Sequence, residues 1–438
     1  MPNTLIQSLL DDFFSVKQGQ LFIGEKSVKS VVDEIGTPAY IYDAEILRKR
    51  YQEVRVAFDS RVSILFALKS NSNAAFANVL REQGAGAEVA SAGEIEIAKA
   101  AGFRGDQIQF AGPGKTNDDL ERACKRGVFS VNVESAGEVE RLSLIAERLN
   151  QEARVSIRVQ QPSTLKGARM RMSGADSKFG VPIQDVPALA EQIERSPSLS
   201  FCGLHLYAGT QCFEPSSWIA MAQELFDLTK LIESTTALTV QHLNFGGGFG
   251  VPVFEGDPSF DVQEAGRLLN DLIAKDTNPK RHYFIELGRY LAAPAGMYVM
   301  QVTDIKTSGE KQHVILNGGM HHHAAAVGLG SLVKRSFPIV LPERMLEPAD
   351  TSQCLGGPLC LPADEISAKI DLPKAERGDI VAVLVSGAYG LTFSPVMFLG
   401  HPLPAEAIVD KEKVTLVRQR GKPEDILRGQ ITPEMNEC

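Results

Sequence analysis

Between residues 40 and 295 the chain repeats one unit: a short apolar run, then a stretch with helical spacing. The alternation restricts the fold more than any other feature, because a strand, a helix and a further strand in series call for parallel pairing. The apolar runs are SILFALK (63–69), GAEVAS (86–91), QIQFAG (107–112), FSVNVE (129–134), RVSIRVQ (154–160), FCGLHLYA (201–208), HLNFG (242–246) and HYFIEL (282–287). Between them, stretches such as NAAFANVLREQG, AGEIEIAKAAGF and VQEAGRLLNDLIAKD place apolar residues three and four apart, and glycine often stops the helix. Eight such units within about 250 residues fit a closed (β/α)8 TIM-like barrel, with a doubly wound open sheet as the alternative. Lys69, Ser91, Gly112, Glu134, Tyr207, Gly246 and Glu286 lie at or beside the carboxyl ends of these runs. Barrels build their sites at that end, which favours the barrel.

After residue 295 the rhythm changes to short strands between turn residues: MYVMQVTDIKTSG, QHVILNGG, FPIVLP, DIVAVLVSGAYG and KVTLVRQR. The expected architecture is therefore α/β, a barrel over 41–295 followed by an all-β, Greek-key barrel-like domain over 296–438. Residues 1–40 read as a helix, a strand near 20–24 and a helix near 28–35, and that strand is expected to join the β domain. A net charge of -9 sets the chain against nucleic acid or an anionic membrane as main partner. No apolar run approaches the ~20 residues of a membrane span. The opening MPNTLIQSLLDDFF carries acids where a secretory signal carries positive charge. Cysteines 124, 202, 212, 354, 360 and 438 are scattered, which reads as reduced thiols in the cytoplasm.

Lys69 ends an apolar strand and is followed by Ser70, Asn71, Ser72 and Asn73. An amine desolvated at a barrel mouth loses its proton more readily and attacks aldehydes; the plain reading is that Lys69 marks where the strand meets water. In Asn244-Phe-Gly-Gly-Gly-Phe-Gly250 consecutive glycines let N–H groups converge on an anion such as phosphate, or else make a tight turn. In Glu286-Leu-Gly-Arg-Tyr290, Arg289 suits a phosphate and Glu286 a protonated ring nitrogen, unless the two pair with each other. Tyr389 stands between glycines, and Cys360 lies in a proline-bounded turn. His321, His322 and His323 raise a metal reading, but neighbours in extended chain alternate sides and no ligand pattern accompanies them, so contact with substrate or packing is expected instead.

Taken together, FALKSN, EVASAGE, SKFG (177–180), LHLYAGTQ, LNFGGGFG, ELGR, GPLCLPAD and SGAYG resemble the fold-type III pyridoxal-phosphate decarboxylases, the group of diaminopimelate, ornithine, lysine and arginine decarboxylases. The resemblance runs from Pro38 to the stretch near 402. It implies pyridoxal 5'-phosphate as cofactor, held covalently by Lys69. Gly246, Gly247, Gly248, Arg289, Thr210 and Tyr389 would surround its phosphate, with Gly288 also among the cofactor contacts, Glu286 on the ring nitrogen and Tyr207 at the family's ring-stacking position. Cys360 would protonate the carbon left after carbon dioxide departs. The resemblance also implies a homodimer with shared active sites, Cys360 and Tyr389 coming from the partner subunit.

Substrate is where the chain departs from the family pattern. Decarboxylases of basic amino acids carry Asp or Glu after the active cysteine; this chain has Leu361. Diaminopimelate decarboxylases carry Arg and Tyr after the turn that here reads Asn317-Gly-Gly-Met-His-His-His323. A buried distal cation facing leucine would lose a charge-assisted bond of ~1.5–3 kcal/mol. The substrate contacts expected are His205, His321, His322, His323 and Leu361. The combination GGMHHHAA, GPLCLPAD and SGAYGLTFSPVMFLGHP is similar to the butirosin-type subgroup, which decarboxylates glutamate held on an acyl carrier protein. The Lys334-Arg335 pair would suit an acidic carrier or plain solvent. The expected activity is decarboxylation of a small-molecule or carrier-bound amino acid, with diaminopimelate or a basic amino acid as alternative substrates. A racemase would place tyrosine where Cys360 stands, and a non-catalytic homologue would not need Lys69, Glu286 and Arg289.

Overall fold

The eight central runs form eight parallel strands: Val62–Ala67, Gly86–Val89, Ile108–Phe110, Ser130–Val133, Ala153–Gln160, Leu199–His205, His242–Gly247 and His282–Leu287. Each pairs with the next, and the eighth pairs with the first, Glu286 opposite Leu65, so the sheet closes into a TIM-like barrel. The structure is a computed structural model that describes residues 4–160, 170–171, 177–207, 209–328 and 335–431. It divides into two units, Ala44–Ala295 and Met1–Asp43 with Gly296–Cys438.

Local chemistry sets the barrel helices. Ser91, Thr116 and Ser135 accept hydrogen bonds from the backbone N–H of Glu94, Asp119 and Glu138 at the first turns of Ala92–Ala100, Asn117–Arg126 and Ala136–Arg148. Ser91 is thus a helix cap. Its place beside a strand end reflects the short connection, and chemistry there falls to its neighbours.

The barrel interior is polar, unlike the Val/Ile/Leu packing usual for this fold. Glu88, Gln109, Asn132, Ser156, His205, Asn244 and Glu286 point inward from seven successive strands, and all are buried. In each case one polar residue stands between two apolar ones, as in AEV, IQF, VNV, VSI, LHL, LNF and IEL. With a strand period of two, the apolar neighbours face the helices and the polar residue faces the barrel axis.

The second unit is built on the 13-residue strand Gly296–Ser308. It pairs antiparallel with Ala39–Asp43, Lys311–Leu316 and Ile380–Val383. Ala39–Asp43 pairs on its other side with Ala405–Asp410, in parallel. Tyr40 stacks on Tyr298 at 4.8 Å in the core of this sheet. The strand expected near 20–24 forms Gln20–Ile23, but it belongs to a separate three-stranded sheet with Ser15–Lys17 and Lys26–Ser27. The N-terminal strand that enters the large sheet is Ala39–Asp43, whose residues are buried throughout. Among the described residues no helix is long and apolar enough to cross a membrane.

Candidate active site

The first barrel strand passes into one 3-10 turn, Leu68–Ser70, which carries Lys69. Asn73 caps the next helix, accepting from the N–H groups of Ala75 and Phe76, and so fixes where the turn ends. Lys69 Nζ lies 2.9 Å from both oxygens of Glu88 on the second strand and 5.3 Å from the centre of the Tyr207 ring. The Lys69 side chain is 37% exposed. Where a desolvated amine was the expectation, the structure shows a partly exposed one paired with a buried carboxylate. Burial pushes Glu88 up from the usual carboxylate range, Lys69 pulls it back, and Glu286 adds a like charge. Glu94, beside the same turn, is raised to about 7 by burial and by Glu88.

Glu286, on the eighth strand, is buried. Its Oε1 accepts from Asn244 Nδ2 at 2.8 Å and lies 3.0 Å from His205 Nε2. The His205 contact is close but off line for a hydrogen bond. Burial would raise the Glu286 carboxyl, but His205, Lys69 and the Asn244 bond outweigh it and hold the acid down at about 2. A pairing of Glu286 with Arg289 was the alternative; its neighbours are His205 and Asn244 instead. His205, expected to meet substrate, is fully buried against Glu286 inside the barrel. The strand period explains this: His205 shares the inward face with the other polar interior residues.

The glycine turn follows the seventh strand. Gly246 has φ +61°, a left-handed value that suits glycine. A Cβ on Gly247 would sit 1.7 Å from the Glu286 carbonyl oxygen, so the two strands approach as only glycine permits. Phe249 anchors the turn, edge-on to Trp218 at 5.0 Å and stacked on Phe260 at 4.3 Å. The Gly248 carbonyl accepts from Cys212 N at 2.9 Å, tying the turn to the loop that carries Thr210. Thr210 sits in the two-residue strand Gly209–Thr210. A Cβ on Gly288 would lie 2.8 Å from Ser70 Cβ, which sets the end of the eighth strand against the Lys69 turn. Arg289 opens the short helix Arg289–Ala292.

In the β unit Cys360 is exposed and Leu361 half-buried on a turn built around Asp364. The Asp364 carboxylate accepts from Met320 N at 2.6 Å and Leu359 N at 2.9 Å, joining the cysteine turn to the histidine run. Tyr389 is half-buried, with φ +54°. His321, His322 and His323, expected as substrate contacts, are buried. His322 Nε2 donates to the Pro402 carbonyl at 2.9 Å, and its Nδ1 lies 3.1 Å from the Tyr298 hydroxyl. His323 Nε2 lies 2.9 Å from Ser386 Oγ. His321 packs between His322 at 3.8 Å and His401 at 4.6 Å. Burial lowers all three, to about 4 for His321 and about 3 for His322 and His323, so their rings are neutral at neutral pH, and both ring nitrogens of His321 are buried without a hydrogen-bond partner among the described residues. Of the Lys334-Arg335 pair, Lys334 lies outside the described residues.

Glu88, Gln109 and Asn244 were not singled out in the sequence. Their signal was there: a polar residue locked between apolar ones at the same depth of consecutive strands. An amine on a carboxylate, a second carboxylate with one oxygen engaged, and a turn of glycines suit a molecule with a carbonyl, a ring nitrogen and a phosphate. Residues 44–293 match the family model described as pyridoxal-dependent decarboxylase, pyridoxal binding domain. The chain is 34% identical to the L-glutamyl-[BtrI acyl-carrier protein] decarboxylase of Niallia circulans, covering 94% of this chain and 98% of that one. It is 31% identical to the diaminopimelate decarboxylase of Aquifex aeolicus, over 93% of this chain and 95% of that one. The fold is shared with the crystal structure of diaminopimelate decarboxylase from M. jannaschi, with a TM-score of 0.89, 23% identity and coverage of 97% and 99%. The chain belongs to the pyridoxal-dependent decarboxylases, carboxy-lyases that work with pyridoxal phosphate.

Proposed function

We propose that the protein removes the α-carboxylate of an amino acid whose far end is uncharged or tied to a carrier, a glutamyl thioester being the leading case. The observation behind this choice is Leu361, next to Cys360, where a distal ammonium would need a carboxylate. Similarity to the glutamyl-carrier-protein decarboxylase along 94% of the chain supports it.

The assignment of roles follows from chemistry already described. Lys69 would hold the cofactor covalently, with Tyr207 against the ring. Gly246, Gly247, Gly248, Thr210, Gly288 and Arg289 would receive the phosphate, joined by Tyr389 from the second subunit of a homodimer. When bound, the cofactor offers an electron-poor ring that takes up the electron pair of the breaking bond. Glu286, ionised at neutral pH, keeps a proton on the ring nitrogen. Glu88 keeps Lys69 oriented at the mouth. Cys360, exposed on its turn, gives a proton to the product carbon, again across the dimer. We place the protein in the cytoplasm.

Carbon dioxide release from a glutamyl-carrier thioester, free glutamate, ornithine and diaminopimelate tests the substrate. Turnover of the thioester well above the free amino acids is expected. Preferred turnover of diaminopimelate would overturn the substrate choice, in favour of the activity named for the Aquifex relative.

A further inference from the structure

Asn244 makes three bonds with one side chain, and their directions fix its orientation. The backbone N–H of Gly246 can only donate, and it reaches Asn244 Oδ1 at 2.9 Å. The amide nitrogen must then face the other way. There it donates to Gln109 Oε1 at 2.7 Å and to Glu286 Oε1 at 2.8 Å. His205 approaches that same Glu286 oxygen. Among the described residues no hydrogen bond is made to Glu286 Oε2. Asn244 and Gln109 are both buried, so water does not substitute for these contacts freely.

From this geometry we infer that Asn244 is a positioning residue that couples the two ends of the cofactor site. Its oxygen sets the glycine turn, and its nitrogen occupies one oxygen of Glu286, leaving Oε2 for the ring nitrogen. A Glu286 carboxylate turned out of this plane would lose this bond. The phosphate turn and the ring carboxylate are therefore held in one register by a single amide. The inference rests on the cofactor roles given under Proposed function.

Asn244→Asp is the discriminating variant. It keeps an oxygen for Gly246 N–H but replaces the donor facing Glu286 with a second acid. Two carboxylates at hydrogen-bonding distance must share a proton, so Glu286 is satisfied at low pH and repelled at high pH. The expected results are cofactor affinity, measured by equilibrium dialysis, within about threefold of wild type, and kcat at neutral pH lower by about 10- to 100-fold, the size of one charge-assisted bond. The kcat profile and the bound cofactor's absorbance should both gain a pH-dependent limb that wild type lacks, with recovery toward acid. In the Glu286→Gln background the same change should add less than about threefold, because the two act as a unit. An unaltered pH profile together with additive effects would overturn the inference.

If Asn244→Asp does not fold, Gln109→Met decides. It frees one amide N–H without adding charge, and should lower kcat in wild type but not in Glu286→Gln. Equal losses in both backgrounds would overturn the coupling. Reduction of wild type with borohydride separates the two levels of argument. If the cofactor is not fixed on Lys69, the site assignment fails; if it is fixed there and the variants behave additively, only the role of Asn244 fails.

Discussion

Around Glu286 the barrel buries charge; around His322 the β unit buries neutral rings. Glu88, Glu286 and Lys69 converge on one place, and Glu286 keeps an oxygen uncommitted. His322 and His323 end instead on a backbone carbonyl and a serine hydroxyl, with nothing left to offer a ligand. Both regions have polar residues in apolar surroundings, so burial alone does not mark a site. The mark is a set of partners that stops short of completing the bonding of an ionised group.

That contrast can be broken or sharpened by measurement. Lys69→Met should have the largest effect, cutting kcat by roughly 10³-fold or more and abolishing the borohydride-stable cofactor adduct. Peptide mass mapping after reduction reads this directly, and a labelled lysine elsewhere would move the site away from Glu88. Glu286→Gln should follow, lowering kcat by about 10²-fold while cofactor affinity changes less than about tenfold. Equal loss of both would make Glu286 a structural acid.

Acid should separate the two regions. An unfolded histidine titrates near 6.5, whereas folded His321 titrates at about 4, so the unfolded chain binds the proton first. The stability contributed is present above about pH 6.5 and lost as pH falls toward 4, roughly 3 kcal/mol from His321 alone. Glu286, lowered to about 2, contributes stability that persists until the pH drops below the ordinary 4.5. Urea unfolding between pH 7 and 5 should weaken β-unit probes before barrel probes, and His321→Phe should flatten that slope. The smallest effect expected is that of Asp364→Asn, which turns an acceptor toward two N–H groups into a partial donor. It should cost about 2 kcal/mol in thermal or urea stability and leave the Lys69 adduct intact.

Legibility in the sequence followed the range of the interactions. The barrel was readable because each βα unit is local and its apolar spacing repeats. Lys69, Glu286 and the glycine turn were readable because they sit at strand ends. Glu88 and Asn244 escaped because their roles depend on neighbours brought together by closure of the barrel, Asn244 and Gln109 being 135 positions apart. The strands Thr351–Gly356 and Glu365–Leu372 also escaped, since their sequences alternate weakly and one is rich in charge. The histidine run is not the extended chain its sequence suggests. It forms tight turns instead, with the N–H groups of His322 and His323 both on the Gly319 carbonyl, and this rolls the rings inward.

The strand Ala39–Asp43 has a consequence for synthesis. Both of its neighbours, Gly296–Ser308 and Ala405–Asp410, emerge more than 250 residues after it. At ~5–20 residues per second the ribosome leaves AYIYD without a mate for tens of seconds, the time in which the barrel residues themselves are made. Once the barrel residues are complete, Gly296–Ser308 follows at once, and AYIYD still presents one open, tyrosine-rich edge until Ala405–Asp410 emerges. Shielding that edge, whether by a chaperone or by rapid translation, is part of what this fold demands of the cell that makes it.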